Sequence, residues 1–225
     1  MRPLPMKNLP LNKKNLCSQY TSKFFGVFLF IALFLTASCA SYTKLFEPKE
    51  KSVETFTPDY LKDFTEGTFK ISIEAFDNHF GGIMVAKKLE TNHYRFAFLN
   101  EFGGKMMDFE IQNRNLKLNY AIDQLDRKII LNMLEKDFAM LFSEENLIGK
   151  EFTHNNIIIL KSPKFSKNKD VYYELNTNDL ISIILAKRKE KVRVDLSKTE
   201  NNFPDIEITH GKLPIKIYLH LLQNN

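Results

Sequence analysis

The sequence contains no tryptophan, only two cysteines, and eight each of glycine and proline in 225 residues. With 44% hydrophobic and 26% charged residues, a collagen-like or disordered chain is excluded, and the length suits one domain of ordinary size. Acid is absent from one region. Residues 1–38 carry five basic side chains and no carboxylate, which leaves 27 basic and 27 acidic residues from Cys39 onward. The formal charge of +5 therefore belongs to the N-terminus, and the remainder has no global excess with which to hold nucleic acid. Reactive constellations are also missing. The five histidines (His79, His93, His154, His210, His220) show neither HxxxH nor HxH spacing, so local spacing supports no metal site. No GxSxG elbow occurs. The glycine pairs 81–82 and 103–104 sit in hairpin context and suit bends better than phosphate loops. His210 reads as the end of a strand at a turn. These absences point to a binding protein without cofactor, not to an enzyme.

The N-terminal region is basic to Lys23 and then runs FFGVFLFIALFL over 24–35, twelve residues without charge. That run is short for a hydrocarbon core of roughly 30 Å, and with a positive leader it reads as a secretory signal peptide over 1–38. Thr36, Ala37 and Ser38 lead into Cys39. This segment resembles the bacterial lipobox, which implies that Cys39 is acylated and becomes the first mature residue. Thr36 departs from the aliphatic residue usual there. An ordinary secreted protein cut near Ala37 is the alternative. Cys17 falls within the signal, so Cys39 has no intramolecular disulfide partner. Triacylation would anchor the chain stably, where one acyl chain holds only marginally. Residues 39–56 lack a sustained period and read as a tether to a single domain at 57–225.

Within that domain, Thr57-Pro58-Asp59 opens a short helix through Leu61 and Phe64, ended by Gly67. The hydrophobic period then becomes two: Phe69, Ile71, Ile73 and Ala75 share one face, then Tyr94, Phe96 and Phe98, then Met107, Phe109 and Ile111, then Leu116, Leu118 and Tyr120. Over 124–143 the apolar residues recur at three and four, including Ile129, Ile130, Met133, Leu134, Phe138, Leu141 and Phe142, which predicts an amphipathic helix. Strands return at 157–161, 170–175, 181–187, 190–196, 205–210 and 214–221, the last two at an edge or starting at Pro204 and Pro214. Lys187–Lys191 reads as a charged, solvated hairpin tip. The fold class is mainly β with α, an antiparallel meander whose greasy face is covered by one or two helices. Such a sheet encloses either a packed core or a lipid-sized cavity, and the pattern leaves both open.

The segment YRFAFLNEFGGKMMDFEI over 94–111, the order of elements and the tail FPDIEITHGKLPIKIYL over 203–219 resemble the LolB outer-membrane lipoprotein receptors and their soluble LolA relatives. The likeness covers about 57–221 and extends to LolB-like lipoproteins of the Bacteroidetes lineage. It implies a half-open antiparallel β-barrel closed by helices and a membrane-inserting tip at Phe102. It further implies a cavity for acyl chains lined by Phe69, Ile71, Ile73, Phe96, Phe98, Met107, Phe109, Ile111, Leu134 and Phe138. The partners implied are the membrane, acyl chains of lipoproteins or lipids and a LolA-like periplasmic carrier, with the chain a monomer on the periplasmic face of the outer membrane. Independently of the likeness, an aromatic between Glu101 and two glycines at a hairpin tip has little to pack against, unless it folds back over the sheet edge. A non-catalytic accessory lipoprotein with a packed core is the alternative function.

Overall fold

The computed structural model describes residues 42–44, 46–49, 54–166, 168–200 and 202–224, without the side chains of the last two. The signal peptide, Cys17 and Cys39 lie outside them. Fifteen strands and two helices follow in order. The first are β1 (Glu47–Lys49), β2 (Glu54–Phe56), α1 (Asp59–Lys62), β3 (Glu66–Ala75), β4 (Asn78–Glu90), β5 (His93–Asn100), β6 (Lys105–Gln112) and β7 (Asn115–Ala121). Next come α2 (Lys128–Leu141), β8 (Asn146–Ile148), β9 (Lys150–His154), β10 (Ile157–Ser166) and β11 (Lys169–Asn176). The chain ends with β12 (Asp179–Ala186), β13 (Glu190–Ser197), β14 (Asp205–His210) and β15 (Ile215–Asn224).

Thirteen strands form one antiparallel sheet in the order β1-β9-β10-β11-β12-β13-β14-β15-β3-β4-β5-β6-β7, and β2 pairs with β8 apart from it. The two meanders read from the sequence are thus joined by β15 against β3, with Ile217 opposite Ile73. Pairing does not close the sheet, whose edges are β1 and β7. It is nevertheless strongly curled. Asp137 of α2 reaches His210 on β14, while the next residue, Phe138, packs on Phe109 of β6. Those strands are five places apart in the sheet, about 24 Å if it were flat at ~4.8 Å per strand. One helix touches both because the sheet wraps around it.

The turns follow local chemistry. Asn113-Arg114 and Thr177-Asn178 both take positive φ at two successive residues, the mirror-image turn that matches strand twist. Gly82 shows no register shift in β4; a Cβ there would clash with the Leu99 carbonyl oxygen, so close backbone approach demands glycine. No bulge occurs at 81–82; β4 shifts register against β5 at Lys88–Glu90, and β5 against β6 shifts at Phe98–Leu99.

Several expectations are corrected. The first helix is a single turn, with Pro58 at its N-cap, and Gly67 lies inside β3. Thr57 does not cap it, because its hydroxyl accepts the Glu145 N–H at 3.2 Å. β14 and β15 start after their prolines but lie within the sheet, not at its edge. The stretch read as a tether is partly strand: Glu47 pairs opposite Thr153, and Glu54 opposite Ile148. Ahead of β1, Tyr42 and Phe46 cover a second, smaller core of Phe152, Ile159, Tyr172, Ile184 and Ala186 on the other face of the sheet. The Tyr42 ring lies 4.9 Å from that of Tyr172, and its hydroxyl donates to Glu174 at 2.7 Å. These residues lack a period because their partners are strands far away in the chain, Thr153 for Glu47, Ile148 for Glu54 and Glu174 for Tyr42.

Candidate functional site

The ten residues expected to line a cavity are all buried, and the fold brings them together between the sheet and α2. They form a core of touching rings. Phe96 lies 5.0 Å from Phe109 and 4.9 Å from both Phe138 and Phe142, while Phe138 meets Phe109 edge-on at 5.3 Å. Edge-to-face and offset rings at such spacings are favourable contacts and leave little room among them. Phe64, Phe69, Tyr94 and Phe203 extend the cluster towards α1. Polar atoms fix its lower end. Tyr60 donates to the Leu141 carbonyl at 2.8 Å, and Tyr94 donates to Glu144 at 2.6 Å. Burial would raise the Glu144 carboxyl, but bonds from Lys88, Tyr94 and the Asn92 N–H hold it below its ordinary value.

Phe102 presents the opposite environment. Its side chain is 96% exposed, so it does not fold back over the sheet edge. The turn that carries it is ordered. The Asn100 Oδ1 accepts the N–H groups of Phe102 (3.0 Å) and Gly104 (2.8 Å), and the Asn100 carbonyl accepts from Gly103 at 2.9 Å. Gly103 takes φ of +79°, a value that would strain another residue. A side chain with no cover is thus carried outward on a turn closed by hydrogen bonds to Asn100.

A third feature was not read from the sequence. Between α2 and the ends of β11 to β14 lies a pocket of about 240 Å³. Its apolar lining includes Ile129, Met133, Leu185, Val192 and Leu213, and it is edged by Lys136, Lys169, Lys191 and Lys212. Asp137 and His210 close one side. The His210 Nε2 lies 3.0 Å from Asp137 Oδ2, and Nδ1 lies 3.1 Å from the Ile215 carbonyl. A carbonyl only accepts, so Nδ1 carries a proton and a second proton is shared between Nε2 and the carboxylate. Burial raises the Asp137 carboxyl above its ordinary range, with His210 opposing. Burial opposes the charging of His210, yet the adjacent Asp137 and the Ile215 carbonyl hold its pKa above the ordinary value. Asp137 Oδ1 is buried without a partner. His210 does end a strand, as its sequence context indicated, but it is also tied to the helix. Asp137 was missed, although an acid at a buried phase of an amphipathic helix is a legible signal.

Ile129, expected on the apolar face of the helix, is 46% exposed at this pocket. Among the described residues no group of three or more His, Cys, Asp or Glu side chains is placed to hold a metal ion. No protein-family model matches the chain, and no curated protein matches it either.

Proposed function

We propose that the protein is a lipid-anchored lipoprotein of the outer membrane, held through Cys39, whose LolB-like half-open barrel presents Phe102 to the bilayer and assists insertion of lipoproteins or lipids without catalysis. The observation that carries this reading is the exposed phenyl ring of Phe102 on a turn pinned by Asn100. Burying that ring in hydrocarbon gains roughly 1.5–3 kcal/mol, enough to bias an encounter and too little to anchor a protein. Phe102→Glu is expected to fold normally by circular dichroism and to lose most of its transfer of a labelled lipoprotein to liposomes. Equal transfer by the variant counts against the tip.

The packed rings favour a second reading of the interior. Phe138 and Phe142 of the α2 region touch Phe96, so hydrocarbon can enter there only if the helix lifts. An accessory lipoprotein with a filled core then describes the resting state. Lipid extraction and mass spectrometry of the protein purified without its anchor separate the two. Bound acyl chains support the carrier, and a clean spectrum supports the accessory role.

A further inference from the structure

We infer that the pocket between α2 and the ends of β11 to β14 binds an anionic amphiphile, with its carboxylate or phosphate among the four lysines and the first part of its hydrocarbon chain on the apolar floor. Two features converge. The floor is aliphatic and open to solvent at Ile129 of α2, whose other apolar residues are buried or pack against the core, and at Leu213 of the β14–β15 turn. Its edge is cationic: among the described residues, none of the ammonium groups of Lys136, Lys169, Lys191 and Lys212 lies within ion-pair distance of a carboxylate, and the one acid in the wall, Asp137, is bonded to His210.

Some lysines elsewhere in the fold do find partners, such as Lys88 with Glu144 and Lys161 with Asp170. Here they come from four separate elements, α2, β11, β13 and the β14–β15 turn, so no local sequence run forces them together. Lys169 feels the crowding: partial burial and the neighbouring Lys136 and Lys191 lower its pKa. A site that gathers like charges around an apolar surface is relieved by an anion with a greasy tail. Asp137 does not oppose this, because its charge is shared with His210. At about 240 Å³ the pocket is below the roughly 300–1,000 Å³ of sites that engulf a drug-sized ligand. It accommodates a head group and a short stretch of chain, not a whole lipid.

The inference stands apart from the role of Phe102, and one experiment separates them. Decanoate, decyl phosphate and decanol, each below its aggregation limit, are titrated calorimetrically into the full chain. The two anions are expected to bind, and decanol at least tenfold more weakly. Lys169→Gln with Lys191→Gln is expected to cost at least tenfold for the anions and to leave decanol unchanged. Ile129→Ser is expected to weaken all three probes. Co-sedimentation with phosphatidylglycerol and phosphatidylcholine vesicles then identifies the source of the head group. A loss of phosphatidylglycerol binding in the lysine variant assigns it to bilayer lipid, and unchanged vesicle binding with lost decanoate binding assigns it to a free amphiphile. Phe102→Glu is expected to retain decanoate affinity whatever happens to its vesicle binding. The inference is overturned by decanol binding as tightly as decanoate, by unchanged anion affinity in the lysine variant, or by no binding of any probe.

Discussion

Asp137 sits at a buried phase of α2 and shares a proton with His210 across the curled sheet. Both groups have raised pKa values, so the folded chain holds protons that the unfolded chain releases more readily. The contribution of His210 is fully present below the ordinary imidazole value of 6.5 and is lost as pH rises through its higher folded value. Asp137 acts in the same direction, because stability also falls as pH rises through its raised value. The melting temperature is therefore expected to decline on the alkaline side of pH 6.5, and Asp137→Asn is expected to flatten that slope in a thermal scan across pH. At the tip, Asn100→Ala removes the acceptor for two N–H groups. Amide exchange at Phe102 and Gly104 should accelerate while global stability changes by less than about 1.5 kcal/mol. Residue identities made Phe102 legible beforehand, since a phenylalanine between glutamate and glycines has no local partner. The Asp137–His210 pair was not legible, because its members are 73 positions apart and nothing local encodes their meeting.

At the scale of elements, α2 fills the concave face by supplying Phe138, which touches Phe96 and Phe109. Phe138→Ala is expected to cost about 3–5 kcal/mol in urea unfolding, as for other large-to-small changes at buried aromatics. A much smaller loss would mean that the interior is looser than its ring contacts indicate. The period-two and three-to-four patterns made this helix and the long strands readable to within a few residues, because most of them turn one apolar face to the main core, although β11 and β12 are buried on both faces and β7 on neither. The three-residue strands β1, β2 and β8 carried no such signal. So short an element has no period, and its existence depends on the edge it happens to meet. The single-turn helix α1 was overextended for a related reason: Phe64 and Gly67 belong to the packing around β3, not to a continuing helix.

In the domain as a whole, the open sheet is bridged by side chains where strand pairing stops. The Arg114 guanidinium lies 4.8 Å over the Phe165 ring and donates to the side-chain Oδ1 of Asn146 at 3.4 Å, linking the β6–β7 turn with β10 and β8. Arg114→Ala should cost roughly 0.5–2 kcal/mol, within the range of a cation over an aromatic face, and chemical denaturation measures it. Cys39→Ser is expected to move the protein from the membrane fraction to the soluble one; unchanged retention refutes acylation at that residue. Hydrophobic periodicity indicated a mainly-β class, but not that β15 would pair with β3, a contact between strands about 140 positions apart that only tertiary packing decides.

Tyr42 is clamped on β11 by its ring and its hydroxyl. Two residues, Ala40 and Ser41, lie between it and Cys39, a span of three residue steps. Fully extended, that length reaches at most about 11 Å. A molecule lipidated there would have no more than that length of chain between Tyr42 and its leaflet, so under the proposed function cargo would have to diffuse to it.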